Sequence, residues 1–315
     1  MRRAMITRMP SVVSDAQPSA GRTVDPLYQR LLRRRNLFAS LAILFLVLVV
    51  VGGVLDEVTS AHEDRSFQVG AAPRLVIRDA VSGGLRGNID VRVGRDDRID
   101  VEGKVHGTWR VRYRLEQRGD EVLLDVQPRL WIGWLGLLSP ARFLVRAPAG
   151  TQVDIETRRA PISVQGLAGG GALRTTDGTV RLDGAGGRLA ATTTNGAITA
   201  RGFHGTADFQ TTNGAIDVRG SQGGFNLKTT NGAIDLDAEL HAGVPQRLEV
   251  TNGAVTVHLR GEPNLRVDAR TINGAVSVRR PLVANERAPH AVSGVIGSGD
   301  GELLVRSTNG SITIE

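Results

Sequence analysis

Apolar and polar residues alternate in a pattern that recurs along the C-terminal half of the chain. Each copy centres on an Asn-Gly or Asp-Gly pair, and the positions three and five residues after the Asn or Asp are apolar, with a polar residue between them. A period of two residues is typical of a half-buried strand. The same alternation precedes each pair, so every copy predicts two short strands joined at Asn-Gly.

The copies follow one another at nearly constant intervals. Successive intervals are 18, 18, 18, 21, 21 and 36 residues, the last equal to two periods. The aligned residues are Asp177, Asn195, Asn213, Asn231, Asn252, Asn273 and Asn309. Asn-Gly also favours β-hairpin turns, but an antiparallel meander does not require identical residues at every period. Since stacked units do, we predict an all-β fold, a parallel β-solenoid with coils of about 18 residues.

The Asn column predicts a structural ladder along the solenoid axis. Because each Asn shares parity with the inward positions two and four residues before it, we expect its side chain to point into a corner of the coil. Stacked amides can hydrogen-bond from coil to coil, and the next Gly allows positive φ. The Thr two residues earlier adds a second polar stack. The alternative is that the ladder binds a ligand. The ladder residues are Asn195, Asn213, Asn231, Asn252, Asn273 and Asn309.

Residues 66–150 alternate without the 18-residue period and predict about six strands. These strands either cap the first coil, covering an otherwise open edge, or begin the solenoid irregularly. The stretch 129–143 interrupts them as a predicted loop. One interpretation packs this loop onto the core, and the other makes it a contact for membrane or a partner, because Trp favours bilayer interfaces and exposed apolar patches mark contact surfaces. Its contact residues would be Trp131, Trp134, Leu135, Leu137 and Leu138.

An uncharged apolar run at residues 37–55 predicts a membrane-spanning helix within residues 36–55. Nineteen residues of helix extend about 28 Å, enough to cross the hydrocarbon core. Three Arg at 33–35 precede the run and acidic residues follow it. The positive-inside rule therefore places the N-terminus in the cytoplasm and the C-terminal part outside. A cleaved signal with a small-residue site at 59–61 is the alternative, although the run exceeds a usual signal core.

Charge and composition narrow the function classes. The formal net charge is +7, but residues 1–35 hold eight Arg and two Asp, so the remainder is nearly neutral. It offers no basic stripe for nucleic acid. Cys is absent, which excludes disulfides and thiolate metal sites. We predict a disordered basic tail (1–35), a transmembrane helix (36–55), a linker (56–65), an irregular β cap (66–150) and the solenoid repeats (151–315).

Catalytic chemistry has one weak candidate in the sequence. Asp217 and Asp235 occupy one outward column, one coil apart, where two carboxylates could act as an acid–base pair or bind a cation. Arg219 in the adjacent column is expected to neutralise them. The six His are scattered, and the sequence contains no zinc-protease, nucleophile-elbow or P-loop motif. We therefore expect no catalytic residue, no cofactor and no metal.

The repeats resemble a known bacterial family. The units of the form L-x-T-T-N-G-A-I-x-V, the lead-in VRAPAG at 145–150 and the ending GVIGSGDGELLVRSTNGSITIE at 294–315 are similar to the adhesin-like β-repeat domain of unknown function. The resemblance covers about residues 66–315 and implies a β-helical domain in the cell envelope. Some relatives are associated with envelope stress responses. It carries over no catalytic residues.

These observations lead to two functional hypotheses. The first is a single-pass protein of the cell membrane that displays a non-enzymatic β-solenoid outside the cytoplasm. It would act as a scaffold, an adhesin-like module or an envelope-stress module. Its partners would be the lipid bilayer through residues 36–55 and an unidentified protein or envelope polymer, with no nucleic acid. The alternative is a carbohydrate-active solenoid enzyme that uses the outward Asp and Arg residues, which requires them to line a cleft.

Overall fold

The computed structural model describes residues 38–47, 50–51, 61–79, 87–105, 111–128, 141–241 and 243–315. The chain divides into two units, Met1–Gly53 and Val54–Glu315. In the first unit, residues 38–47 and 50–51 are helical. Residues 36–37, 48–49 and 52–55 of the predicted span lie outside the described residues. Within the described residues, no helix combines the length and the apolar character needed to cross a membrane.

The second unit is all-β, as predicted, and its described residues form 24 strands. The strands before the regular repeats are β1 Ala61–Gln68, β2 Arg74–Asp79, β3 Ile89–Val93, β4 Arg98–Val105, β5 Val111–Arg118, β6 Glu121–Pro128 and β7 Ala141–Ala147. The regular coils contain β8 Gln152–Glu156, β9 Ile162–Gln165, β10 Gly171–Arg174, β11 Val180–Asp183, β12 Gly186–Thr193, β13 Ile198–Arg201, β14 His204–Thr211, β15 Ile216–Asn231, β16 Ile234–Leu240, β17 Gln246–Asn252 and β18 Val255–Leu259. The last strands are β19 Leu265–Asn273, β20 Val276–Val278, β21 Val283–Ala288, β22 Ala291–Ile296, β23 Gly301–Asn309 and β24 Ile312–Ile314.

The strands form two hydrogen-bonded ladders, here called sheet A and sheet B, and each coil contributes one strand to each. Sheet A runs β5–β6–β2–β8–β10–β12–β14–β15–β17–β23–β19–β22–β21. Sheet B runs β1–β4–β7–β3–β9–β11–β13–β15–β16–β18–β24–β20. The long strand β15 takes part in both ladders, so all 24 strands belong to one continuous sheet.

The regular coils stack in parallel with the predicted 18-residue register. Ile198 pairs with Ile216, and Ile216 pairs with Ile234. This pairing follows from the columns of the sequence, because apolar side chains of equal size superpose when each coil lies over the previous one. The apolar columns point into the solenoid and are almost fully buried, and the rings of Phe203, Phe209 and Phe225 contact one another in its interior.

The N-terminal strands contain both parallel coils and antiparallel edge strands. β2 stacks in parallel on β8, and β3 stacks in parallel on β9, so these two strands form a coil that continues the regular stack. β6 and β7 stack in parallel on β2 and β3 and continue the stack by a second coil. The strands β1 and β4 are antiparallel additions to sheet B, while β5 is an antiparallel addition to sheet A. Antiparallel strands end the regular stack and give the last parallel strand of each sheet a partner.

The C-terminal coil does not occupy the position that its place in the sequence predicts. Its interval of 36 residues from Asn273 equals two periods, so coils stacked in sequence order would place it two periods beyond Asn273. Instead, β23 lies between β17 and β19 in sheet A, and β24 lies between β18 and β20 in sheet B. The sequence spacing alone does not predict that the last coil lies between two earlier ones. Every coil carries the same apolar columns, so it fits between any two others.

Candidate functional site

The Asn column forms an unbroken amide ladder along one corner of the solenoid. Each Asn donates from Nδ2 to the Oδ1 of the preceding member, over 2.7 to 2.8 Å. In spatial order the members are Asp177, Asn195, Asn213, Asn231, Asn252, Asn309 and Asn273. Each amide inside the series is therefore both donor and acceptor, and the repeated side chain is used up in contacts between coils.

The ladder lies on the surface, so the expected inward orientation is wrong. All six Asn are exposed, whereas the Thr two residues earlier, such as Thr193 and Thr211, is buried. The parity argument holds only while the chain stays extended. β12 ends at Thr193 and β13 begins at Ile198, so Asn195 lies in the bend between two strands. In this bend, Thr194 and Asn195 both face solvent.

The buried Thr column contributes bonds that the sequence analysis described only as a polar stack. The hydroxyl of Thr193 donates to the carbonyl oxygen of Gly178 over 3.0 Å, and Thr211 donates to Gly196 over 2.9 Å. Each bond joins one coil to the corner Gly of the coil below. The corner needs this bond because a buried carbonyl group without a donor is costly. The Thr column is the clearest signal in the sequence for how the corner is held.

The Gly of each Asn-Gly pair is needed for close approach of two backbones. Its expected positive φ is not found at Gly196 or Gly214. A Cβ at Gly196 would lie 2.0 Å from the carbonyl oxygen of Gly178, and one at Gly214 would lie 2.0 Å from that of Gly196. No heavy atom fits at that distance. The corner therefore conserves its shape from coil to coil because each Gly packs directly on the Gly below.

We expect Asn213→Ala to lower the free energy of unfolding by about 1 kcal/mol. The change removes two amide hydrogen bonds in mid-ladder, each with a net value of about 0.5–1.5 kcal/mol. Exposure to water offsets part of this loss. Urea denaturation of the purified protein measures the change. Thr212→Ala is the matched control, because Thr212 is exposed and lies outside the ladder. Equal effects of the two substitutions would contradict a stabilising ladder.

The carboxylates considered for catalysis lie together on sheet B and are paired with cations. Arg219 donates to Asp217 over 2.7 Å and lies 3.6 Å from Asp235. His258 lies 3.8 Å from the other oxygen of Asp235 and 3.3 Å from Glu315. Glu315 was not predicted as a neighbour, because coils stacked in sequence order would not place the last coil beside His258. The arrangement is a charge network across four coils.

Asp237 has the opposite electrostatic character from a general acid. Its carboxylate accepts two hydrogen bonds from Arg260, including one of 2.6 Å from Nη2. This pairing holds the pKa of Asp237 below its usual value of 3.8. A general acid needs a raised pKa so that it is protonated near neutral pH. Asp237 therefore serves as an ion-pair partner in this geometry.

The depressed pKa of Asp237 predicts a pH-dependent contribution to stability. Its ion pair with Arg260 stabilises the fold while the carboxylate is ionised, above its unfolded pKa near 3.8. The contribution is lost as the pH falls through the lower folded value. We expect the difference in Tm between wild type and Asp237→Asn to be constant near neutral pH and to narrow below about pH 4. Scanning calorimetry across this pH range measures the difference in Tm. A difference that stays constant below about pH 4 would contradict a stabilising ion pair between Asp237 and Arg260.

Sheet A carries several shallow depressions lined by described residues, and two of them lie over its central and C-terminal strands. One of about 310 Å³ includes Arg188, Asp208 and Asn226. The other, of about 490 Å³, includes Lys228 and Arg306. The cations of the second are paired, because Lys228 lies 3.3 Å from Glu249, and Arg306 lies 2.6 Å from Asp268. Neither depression includes the Asp217 and Asp235 pair that the enzyme hypothesis needs in a cleft.

Residues 129–140 of the predicted contact loop lie outside the described residues, whereas residues 141–143 begin strand β7 and are not part of a loop. The residues outside the described part include Trp131, Trp134, Leu135, Leu137 and Leu138. Among the described residues, no group of three or more His, Asp or Glu is arranged to hold a metal ion. The residues that the structure does bring together are the Asn ladder, the buried Thr column beneath it and the charge network on sheet B.

The geometry defines a class of protein, an all-β domain with a solenoid-like stack of short repeats. The chain belongs to the Toastrack DUF4097 family, whose sequence model matches residues 87–315. No curated protein has a significant match to the sequence. The family relationship supports the adhesin-like domain of unknown function that the repeats resemble.

Three solved structures give a weak overall superposition with a TM-score of 0.28 each, and each covers 81% of this chain. A "putative cell adhesion protein" from Clostridium sporogenes is 11% identical, with 99% of its chain covered. A "putative adhesin" from Bacteroides fragilis is 10% identical, with 97% covered. A "putative lipid binding protein" from Parabacteroides distasonis is 10% identical, with 96% covered.

Proposed function

We propose that this protein is a single-pass protein of the bacterial cell membrane that displays a non-enzymatic β-solenoid outside the cytoplasm. Residues 36–55 cross the lipid bilayer, and the N-terminal tail lies in the cytoplasm. The solenoid acts as an adhesin-like scaffold or as a binding module of the envelope stress response. Its partner is another protein or an envelope polymer.

The observation that carries this proposal is the use of the repeated residues within the stack. Asn213 bonds to the amides on both sides, Thr211 bonds to the backbone below, and Gly214 packs on Gly196. The repeated Asn, Gly and buried Thr residues are thus explained by contacts between coils. A stack of this kind gives an extended, rigid surface, which suits display and binding.

The membrane anchor and its orientation rest on sequence. Residues 37–55 are uncharged and long enough to span the hydrocarbon core as a helix. The Arg cluster at 33–35 favours the cytoplasmic side. Outside the basic tail the chain is nearly neutral, which favours a protein or polymer partner over nucleic acid.

Topology is tested by labelling single Cys residues, because the natural chain contains none. We expect a membrane-impermeable maleimide to label the full-length Thr212→Cys variant in intact spheroplasts. Thr212 is exposed on the solenoid. The Ser19→Cys variant, in the N-terminal tail, should be labelled only after lysis. If Thr212→Cys also requires lysis, the proposed location is wrong.

The enzymatic alternative is tested with isolated cell-wall polymer. We expect the purified full-length protein to sediment with the polymer and to release no reducing sugar ends. Release of reducing ends that is lost in the Asp217→Asn/Asp235→Asn double variant would instead support a carbohydrate-active enzyme. Failure to sediment, with no release, would argue against a polymer partner and direct the search to proteins.

The stretch at 129–140 remains a predicted second contact with the bilayer or a partner. Its two Trp and three Leu have the amphipathic character of an interfacial anchor. We expect Trp131→Ser/Trp134→Ser to reduce flotation with anionic liposomes, and to leave Tm unchanged. A large fall in Tm would place the loop in the core instead.

A further inference from the structure

The last coil of the chain fills a space between two coils that precede it in sequence. We call residues 301–315 the terminal segment, and the space between the coils β17–β18 and β19–β20 the slot. The terminal segment enters this slot as β23 and β24, in parallel register with both walls.

The terminal segment is bound by the same contacts on both sides. Gly253 donates its N–H to Asn309 on one wall, and Gly310 donates to Asn273 on the other, each over 2.9 Å. The amide of Asn309 bridges the two walls between Asn252 and Asn273. The side chains that face the solenoid interior are Leu303, Val305, Ser307, Ile312 and Ile314. The slot therefore recognises an extended peptide by backbone, amide ladder and apolar columns together.

A short crossover is the covalent link between the terminal segment and the preceding strand. Residues 297–300 connect β22 to β23, which lie on opposite sides of β19. Gly297 and Gly299 both have positive φ, at 64° and 77°. Ser298 donates its N–H to the side chain of Asn264 over 2.9 Å. The crossover is thus a Gly-containing hinge that passes over the end of one strand.

The walls of the slot can also meet directly. Asn252 and Asn273 are 21 residues apart, and so are Asn231 and Asn252, which stack as direct neighbours. A coil of this length is therefore compatible with β19 and β20 resting on β17 and β18. That arrangement is the sequence-order stack predicted from the repeat intervals. A vacated slot has a way to close, which lowers the cost of removing the terminal segment.

We propose that the slot is a peptide-binding site for the terminal segment of a second copy of this chain, giving a strand-exchanged dimer. The exchanged contacts are identical to the internal ones, so exchange creates no new interface. A short linker gives the internal segment a high effective concentration, about millimolar for flexible linkers. Exchange is therefore favoured where copies are crowded while they fold, as they are at high expression.

The test uses co-expression of two full-length chains with different epitope tags, each with one introduced Cys. One carries Thr308→Cys on the terminal segment. The other carries Thr251→Cys or Ile272→Cys, on the two walls of the slot at the positions that flank Thr308 in register. A short membrane-permeable bismaleimide is added, so the result does not depend on topology. We expect a product at the mass of two chains that carries both tags, for both wall positions.

Two controls make the outcome decisive. Thr176→Cys paired with Thr308→Cys should give no two-chain product, because these positions lie five coil steps apart, about 24 Å at about 4.8 Å per step. Thr251→Cys and Thr308→Cys in the same chain should give an internal crosslink. The proposal is overturned if the internal crosslink forms without a two-chain product, or if the Thr176→Cys pair reacts equally. Absence of both the internal crosslink and the two-chain product would show that the segment does not occupy the slot, and would also overturn it.

Discussion

Gly214→Ala should destabilise the solenoid by about 4 kcal/mol or more, at the upper end of single-residue effects. The new Cβ would lie 2.0 Å from the carbonyl oxygen of Gly196 and 2.6 Å from its carbonyl carbon. Both atoms belong to backbone that is hydrogen-bonded into the adjacent coil, so they cannot rotate away as a side chain does. Relief of the overlap requires the two coils to separate at the corner, which weakens the Thr211 bond and the amide ladder together.

Gly184→Ala is the matched control for this substitution. Gly184 lies in the opposite turn with φ of +61°, and a Cβ there would meet nothing within 4 Å. The cost of this control is limited to backbone strain, about 1–2 kcal/mol. Urea denaturation of both purified variants compares the stability lost through backbone overlap in Gly214→Ala with the stability lost through backbone strain alone in Gly184→Ala. If Gly214→Ala lowers the free energy of unfolding no more than Gly184→Ala does, the two coils can separate at the corner at little cost. That result would contradict close packing of Gly214 on Gly196.

The predictable part of this fold is the part that repeats. Columns such as Ile198, Ile216 and Ile234 predict coil length, parallel register and inward-facing positions, because identical side chains superpose when coils stack. Alternation predicts these features wherever the chain is extended. Alternation does not predict the orientation of the Asn195 side chain, because the chain bends there and successive residues no longer face opposite sides. The ladder of six Asn side chains could be predicted from spacing, whereas its exposure to solvent could not.

Strand order at the C-terminus is the part that the sequence does not predict. The coils share the same apolar columns, so the side-chain pattern of β23 fits nearly equally well into every gap in the stack. Its place is decided by chain connectivity and by specific pairs, such as Arg306 with Asp268 on β19. Long-range ion pairs of this kind have no periodic signature. The same reasoning explains why the contact between His258 and Glu315 could not be predicted.

Phe203→Ala should lower the free energy of unfolding by about 3–5 kcal/mol, the usual range for removal of a buried Phe. Phe203 is fully buried at the turn between β13 and β14. Its ring makes edge contacts with Phe209 and Phe225, at centroid distances of 5.9 and 6.3 Å. The three rings come from consecutive coils, so a cavity at Phe203 loosens the packing of one coil on the next.

The loss should also be local, because each coil of a solenoid contacts only its neighbours. We expect hydrogen exchange in Phe203→Ala to accelerate in β13 and β14, and to stay near the wild-type rate in β19 and β23. Val283→Ala is the surface control, since Val283 is 76% exposed, and it should change stability by less than about 0.5 kcal/mol. Uniform acceleration of exchange throughout the strands would instead mean that the solenoid unfolds as a single cooperative unit. In that case the aromatic layer would stabilise the distant coils as strongly as its own.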